Sequence, residues 1–271
     1  MKTRIISSVV LFPILALMVV IGGNTLVLGL MLISLIGLYE FYNAFSSYKP
    51  IRNIGYIFTV LFYLGDFIFK LNSTSYNFIL LVIILIIISL TIMVMYYPKY
   101  NIIDIMITCF GFLYVSVLFS YIIGVRNLEN GNWLVWLVFI CAWGNDTFAY
   151  FTGVFLGKTK LVPKLSPKKT VEGAIGGIIG SALLAVLYSL IVKMNVELFL
   201  SPKGYLIIAF SVALSSTLAI IGDLSASAVK RFTSVKDFGN IIPGHGGILD
   251  RFDSVLFTAP AIYTLINFLL K

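Results

Sequence analysis

The feature that most constrains this chain is a series of apolar runs, each about as long as a lipid bilayer is thick. The 271 residues are 60% hydrophobic and only 11% charged, whereas soluble domains carry about 25% charged residues. Runs of roughly 18 residues or more recur along the chain, and a helix of about that length crosses the hydrocarbon core of a bilayer. Backbone polar groups in lipid must be satisfied within the segment. The sequence therefore predicts an all-α, polytopic integral membrane protein.

The apolar runs correspond to about nine expected membrane spans. Lys2 and Arg4 precede the first run as in a signal peptide, but the run is long and no Ala-x-Ala pattern follows it, so we expect a retained span. We divide the chain into an N-terminal transmembrane scaffold, 1–125, and a C-terminal region, 126–271, that holds most polar motifs. The expected spans are 5–22, 25–45, 54–71, 76–97, 102–124, 132–156, 173–193, 204–222 and 253–270.

Two long polar loops, about 157–172 and 223–252, decide the expected orientation. The net charge is +8, and in a membrane protein such an excess gathers at the cytoplasmic ends of helices, so it does not indicate nucleic-acid binding. The side that holds the N-terminus and both loops carries most of the 19 lysines and arginines. We therefore expect the N-terminus and both loops in the cytoplasm. The Ile-, Asn- and Lys-rich composition, without a targeting extension, is typical of a bacterial plasma-membrane protein.

The first polar loop contains two adjacent lysines, Lys168 and Lys169, followed by Glu172. Lysine binds phosphate well as a point charge. The alternative is a basic patch facing anionic lipid, worth about 1 kcal/mol per cation, which Lys168 and Lys169 fit less well. Three further lysines fit the lipid-facing interpretation: Lys158, Lys160 and Lys164.

The second polar loop begins with helical spacing. Ser227, Lys230 and Arg231 follow Asp223 at offsets that share one helix face. Such a stripe could bind an anion or a metal ion. A helix end with a capping aspartate and cations that reach toward the interface would give the same pattern.

The same loop ends in glycines and carboxylates. Asp250 and Asp253 share a face if helical, and Gly244, Gly246 and Gly247 precede them. Glycines ahead of a helix let backbone N–H groups approach a phosphate. Carboxylates beside such amides suit a bridging Mg²⁺, which prefers oxygen ligands. Zinc is disfavoured because the chain has one histidine and neither cysteine lies nearby.

Three isolated ionisable residues complete the candidates. Asp146 interrupts an expected span and shares a face with Tyr150 and Gly153, where it would contact a metal ion or nucleotide, or form a buried structural pair. His245 lies between glycines and could donate to a phosphate oxygen, although a lone histidine is usually structural. Glu40, at the end of the second span, is the main ionisable exception in the scaffold.

Small residues in the seventh span allow close helix contact. They form two overlapping motifs, Gly173-x-x-x-Gly177 and Gly176-x-x-x-Gly180. The contact they allow could lie within one subunit or in a homodimer.

The segment from Ser227 to Asp253, which we call the signature segment, combines twelve polar, glycine and proline positions in one pattern. They are Ser227, Lys230, Arg231, Lys236, Asp237, Pro243, His245, Gly246, Gly247, Asp250, Arg251 and Asp253. This pattern resembles the signature of phosphatidate cytidylyltransferases, or CDP-diacylglycerol synthases. The Ser166–Gly173 stretch and the helix with Asn145 and Asp146 also look like this family.

The resemblance implies a reaction of CTP with phosphatidic acid that gives CDP-diacylglycerol and pyrophosphate, with Mg²⁺ and room for a second cation. It implies a polar cavity at the cytoplasmic side, formed by the C-terminal helices and open to membrane lipids. The implied metal ligands are Asp223, Asp250 and Asp146. The implied substrate-binding residues are Lys168, Lys169, Ser227, Gly246, Gly247 and Asp146. The implied catalytic residues are Asp223, Lys230, Arg231, Lys236, Asp237, His245, Asp250, Arg251 and Asp253.

Two other functions fit parts of the pattern. A CTP-dependent enzyme that acts on another lipid phosphate or a polyprenol would need the same nucleotide site. An ion-coupled transporter could use Asp146, Asp223 and Asp250 as a cation path. The polar residues gather toward one face and no inverted repeat is visible, which disfavours the transporter.

Overall fold

The structure, a computed structural model, describes residues 2–69, 76–192, 201–244 and 246–269. Helices account for most of this part of the chain. In order they are α1 (Lys2–Ile21), α2 (Gly23–Ala44), α3 (Arg52–Phe69), α4 (Tyr76–Met95), α5 (Ile102–Gly111), a π-helical turn (Phe112–Val117), α6 (Leu118–Arg126), α7 (Gly131–Leu134), α8 (Trp136–Leu156), α9 (Val171–Val192), α10 (Pro202–Phe232) and α11 (Leu249–Leu269).

The all-α polytopic membrane fold predicted from the sequence is confirmed. Within the described residues, seven helical stretches are long and apolar enough to cross a membrane. Over the described residues, each of the nine expected spans falls largely on helix, and the two outside the seven are α1 and α3. The total of nine spans stays a prediction.

The loop between α8 and α9 holds structure that the sequence analysis did not foresee. Strand β1 (Lys160–Val162) pairs antiparallel with β2 (Ser166–Thr170). A two-stranded hairpin is marginal by itself, and here it is tied to the end of α8 and the start of α9. Glu172 accepts hydrogen bonds from the backbone N–H groups of Lys158 and Thr159 at 3.1 Å.

Packing divides the chain into two compact units. The first comprises Met1–Ser120 with Phe232–Arg251, and the second comprises Tyr121–Arg231 with Phe252–Lys271. This division by packing differs from the predicted functional division at residue 125, which stays a prediction.

The first unit has an aromatic core in which buried polar side chains form hydrogen bonds with the backbone. Tyr42, fully buried on α2, donates its hydroxyl hydrogen to the carbonyl of Thr108 at 2.8 Å. Asp104 is 1% exposed and accepts backbone N–H groups from Lys49 at 2.7 Å and Asn101 at 2.9 Å. Each of these hydrogen bonds takes the place of one that the polar group would make with water. It thereby avoids the free-energy cost of burying that group without a partner.

The second unit is built on close contact between α8 and α9. The glycines of both small-residue motifs face α8: a Cβ on Gly173 would lie 2.8 Å from the carbonyl oxygen of Ala149, and one on Gly180 would overlap Phe148. Gly177 packs in the same way against Asn145. The motifs are thus used within one chain, and they lend no support to a homodimer.

Enlarging Gly177 should therefore loosen this unit. We expect Gly177→Ala to lower the melting temperature of detergent-solubilised protein by several degrees, because overpacking typically costs about 1–3 kcal/mol. Ile179→Ala, at a position 55% exposed on the same helix, is the matched control and should have a smaller effect. Equal shifts in a thermal unfolding assay would contradict the close packing of α8 on α9.

Candidate active site

A cavity of about 390 Å³ opens in the second unit. Small-molecule sites commonly occupy about 300–1,000 Å³. The cavity is lined by residues from α8, the hairpin, α9 and α10, and four of them are predicted site residues: Asp146, Lys168, Lys169 and Asp223. Tyr150 and Gly153 line it as well, so the predicted common face of α8 is present, with the Asp146 side chain exposed rather than sealed inside the bundle.

An ion pair between Lys169 and Asp223 joins the hairpin to α10. Each side chain keeps 27% of its surface exposed. The pair is therefore shielded enough to hold its geometry and open enough to meet a solute. Removing either partner would leave the other charge uncompensated in a partly desolvated place.

Asp253 adds a third carboxylate to this region. Its side chain is 9% exposed and interacts electrostatically with Asp223, Asp146 and Lys230. One of its oxygens accepts the backbone N–H of Ser254 at 2.8 Å. Three carboxylates and two lysines thus share the second unit's polar region, where the negative charges repel one another unless cations lie among them.

The hairpin determines how the adjacent lysines point. Successive residues of a strand face opposite sides, and in β2 Lys169 is half-buried in its ion pair whereas Lys168 is exposed. Thr170 is buried and its hydroxyl oxygen accepts the backbone N–H of Gly173 at 3.1 Å, which fixes the strand to α9. The three lysines of the lipid-facing interpretation are all exposed: Lys158, Lys160 and Lys164.

Helix α10 continues well past its expected end at residue 222. It runs to Phe232, so Asp223, Ser227, Lys230 and Arg231 follow one another on a helix, as their spacing predicted. Asp223, Ser227 and Lys230 are half-buried and Arg231 is exposed. Both interpretations of this segment, a stripe that binds an anion or a metal ion and a helix end with a capping aspartate, require a helix here. Both therefore stay predictions.

The remaining signature residues belong to the first unit. Residues 233–248, the signature loop, connect α10 to α11. Gly244 and Gly246 adopt φ of 78° and 85°, which disfavour a side chain, and the N–H of Ile242 donates to the carbonyl of Gly246 at 2.9 Å. Gly247 is buried. Lys236, Asp237 and Arg251 are exposed, and His245 lies outside the described residues.

Asp250 has a structural contact that the sequence did not reveal. It is 9% exposed. One carboxylate oxygen accepts the backbone N–H groups of Phe238 at 2.8 Å and Gly247 at 3.0 Å. Asp250 therefore closes the signature loop onto the start of α11. Its predicted role as a metal ligand stays a prediction.

Glu40 is the residue whose role the sequence analysis left unassigned. It is 1% exposed, and its two oxygens accept the backbone N–H groups of Ile248 and Leu249, both at 3.0 Å. The available signal was that Glu40 is the single charged residue of α2, since an ionisable group in a span is usually functional.

The donors of the second unit suit a hard cation such as Mg²⁺. Asp146, Asp223 and Asp253 offer carboxylate oxygens, and the buried side-chain oxygen of Asn145, a cavity-lining residue, has no hydrogen-bond partner among the described residues. Over the same residues, no group of three His, Cys, Asp or Glu side chains could hold a metal ion by itself. Mg²⁺ often binds through one or two carboxylates and completes its shell with water and substrate phosphates.

Comparisons with known proteins bear on this arrangement. A family model described as the cytidylyltransferase family matches residues 2–269. The chain belongs to the cytidylyltransferase family. It is 33% identical to the phosphatidate cytidylyltransferase of Staphylococcus haemolyticus over 274 residues, which cover 98% of this chain and 99% of that protein.

Other relatives match this chain over shorter stretches. The phosphatidate cytidylyltransferase of Rickettsia bellii is 39% identical over 162 residues, or 59% of this chain and 69% of the relative. That of Bacillus subtilis is 35% identical over 156 residues, and the match spans 57% of this chain and only 55% of the relative.

The carboxylate crowding predicts opposite effects for two aspartates. In EDTA, Asp253→Asn should leave the melting temperature unchanged or raise it by a few degrees, because it removes a buried charge that faces two other carboxylates. Asp250→Asn should lower it, because a carboxylate that accepts two backbone N–H groups loses its charge-assisted bonds. Thermal unfolding of both variants in one detergent tests this, and an equal drop in both would contradict the crowding.

Proposed function

We propose that this protein transfers the cytidylyl group of CTP to phosphatidic acid, releasing CDP-diacylglycerol and pyrophosphate. The observation that carries the proposal is the Lys169–Asp223 pair on a cavity within a bundle of membrane-spanning helices, in a chain of the cytidylyltransferase family. A relative that matches over 99% of its own length is a phosphatidate cytidylyltransferase. A water-soluble nucleotide and a bilayer lipid both need access to such a site.

The chemistry explains why charged residues outnumber candidate bases. A phosphatidate oxygen attacks the α-phosphorus of CTP, a new P–O bond forms, and the bond from the α-phosphorus to the bridging oxygen breaks as pyrophosphate leaves. The attacking oxygen is already anionic, so no proton has to be removed. Catalysis then depends on bringing two anions together, aligning them and neutralising developing charge.

The second unit contains groups for these tasks. Lys168, Lys169 and Lys230 would bind phosphate oxygens as point charges. The charge of Asp253 interacts electrostatically with those of Asp223 and Asp146. Asp223 would hold Mg²⁺ together with Asp146 and Asp253. When bound, that ion would neutralise negative charge on the phosphates. Asp223 already faces Lys169, so a bound phosphate would compete with the carboxylate for the lysine.

We further propose the topology and location inferred from charge. The N-terminus and both polar loops would lie in the cytoplasm of a bacterial cell, where CTP is available, and phosphatidic acid would enter from the bilayer. A homodimer remains compatible with this arrangement.

The proposed reaction predicts a metal-dependent product. Purified protein in detergent, given phosphatidic acid, radiolabelled CTP and Mg²⁺, should form labelled CDP-diacylglycerol, and EDTA should abolish it. CTP binding without product from phosphatidic acid would contradict the lipid assignment and favour another lipid phosphate or a polyprenol as acceptor. Folded protein that neither forms product nor binds CTP would contradict the nucleotide site and favour a transporter.

The ion pair predicts unequal roles for lysines of one loop. Lys169→Met should lower kcat by about 100-fold or more, since losing one preorganised donor to developing negative charge typically costs about 100- to 1,000-fold in kcat. Lys164→Met, an exposed lysine of the same hairpin, should stay within about twofold of the wild type. The same radiolabel assay compares both, and matched losses would mean that the hairpin acts only as a general basic patch.

A further inference from the structure

Glu40 is a buried carboxylate for which the proposed reaction has no use. It lies four residues before α2 ends at Ala44 and is 1% exposed. A carboxylate near the carbonyl end of its own helix is unfavourable, because that end carries partial negative charge. An isolated charge in such surroundings would not be tolerated without strong partners.

Its partners are the backbone of the signature loop and the start of α11. Ile248 donates its N–H to one carboxylate oxygen and Leu249 donates to the other, each at 3.0 Å and each more than 200 residues away in the sequence. These N–H groups lie at the amino end of α11, which carries partial positive charge and favours an anion. The two helix ends thus compensate each other through one side chain.

Two glycines of the loop make room for this carboxylate. A Cβ on Gly239 would lie 2.5 Å from one oxygen of Glu40, and a Cβ on Gly247 would lie 2.5 Å from the other. Real Cβ atoms do not approach oxygen so closely, so the loop reaches Glu40 only because these positions lack side chains. The close approach of the Glu40 carboxylate therefore explains why positions 239 and 247 are glycine. This reason is separate from any role of Gly247 in binding phosphate.

Glu40 and Asp250 divide the loop's amides between them. Glu40 accepts Ile248 and Leu249, while Asp250 accepts Phe238 and Gly247. Four backbone N–H groups, those of Phe238 and of residues 247–249, are therefore fixed by two carboxylates of the first unit. The exposed residues of the loop and of the first turn of α11, among them Lys236, Asp237 and Arg251, are carried by the backbone that this pair holds.

We infer that Glu40 is a positioning residue for the signature loop, which it fixes through the amides of Ile248 and Leu249. The inference rests on the proposed function for its effect on turnover, but not for its effect on the loop itself. Glu40 touches no reacting group. It acts by holding the backbone from which signature residues project, and small errors of position are expensive in catalysis.

Glu40→Gln is the direct test, because glutamine keeps the shape and presents an amide N–H₂ to a backbone donor. Hydrogen–deuterium exchange at residues 246–250 should quicken at least about tenfold, since a charge-assisted bond is lost. kcat for CDP-diacylglycerol formation should fall about tenfold or more. Glu40→Asp keeps the charge with a shorter reach and should show smaller changes of the same kind, which covers the case that the glutamine variant does not fold.

Asp104→Asn is the matched control. Asp104 is also 1% exposed, lies in the same unit and accepts two backbone N–H groups, from Lys49 and Asn101. Its neutralisation should lower the melting temperature comparably yet leave exchange at 246–250 and kcat within about twofold of the wild type. Activity losses that merely track the melting temperature in both variants would overturn the positioning role.

A double-mutant cycle gives a second, independent readout. Because Glu40 and Gly247 are in contact, the effects of Glu40→Gln and Gly247→Ala on kcat should be non-additive, whereas those of Asp104→Asn and Gly247→Ala should add. Additive effects in both cycles would contradict the inference. A wild-type protein that makes no CDP-diacylglycerol would refute the proposed function alone, since hydrogen exchange still tests whether Glu40 fixes the loop.

Discussion

The shielded carboxylates among the described residues depend on partners that replace the water they have lost. Two solutions recur in the described structure. Asp223 is paired with a cation, Lys169, whereas Glu40, Asp104 and Asp250 are each paired with backbone N–H groups. The first kind of partner can be exchanged for a ligand, because a phosphate or a metal ion can take the place of either charge. The second kind also holds the chain itself, so giving it up would release backbone N–H groups.

The exchangeable pair, Lys169 and Asp223, lies on the cavity of the second unit. In the second unit, carboxylates and lysines lie on or beside a cavity whose walls are partly apolar. The close glycine contact between α8 and α9 and the ties at Thr170 and Glu172 keep the lysine strand in place. A phosphodiester exchange between two anions needs such a fixed array of charge more than it needs a base.

Much of the fold followed from the sequence because its causes are local. Apolar length predicted the helices, and the spacing from Asp223 to Arg231 indicated helical geometry there, although the expected span ended at residue 222 and α10 runs to Phe232. Lys168, Lys169, Asp146 and Asp223, chosen by residue type and surroundings, line one cavity. The sequence could not show which carboxylates bind backbone, since Glu40 meets Leu249 across 209 positions of the chain. The hairpin was missed because three- and five-residue strands rich in lysine and proline carry almost no periodic signal.

In the proposed reaction, the cavity beside Asp223 and Lys169 binds the triphosphate of CTP with its metal ion. An experimental structure of the protein with CTP and Mn²⁺, with anomalous scattering used to locate the metal, tests this binding. We expect a manganese peak within coordinating distance of an Asp223 carboxylate oxygen and phosphate density at Lys169. A manganese peak and triphosphate density both remote from this cavity would contradict it.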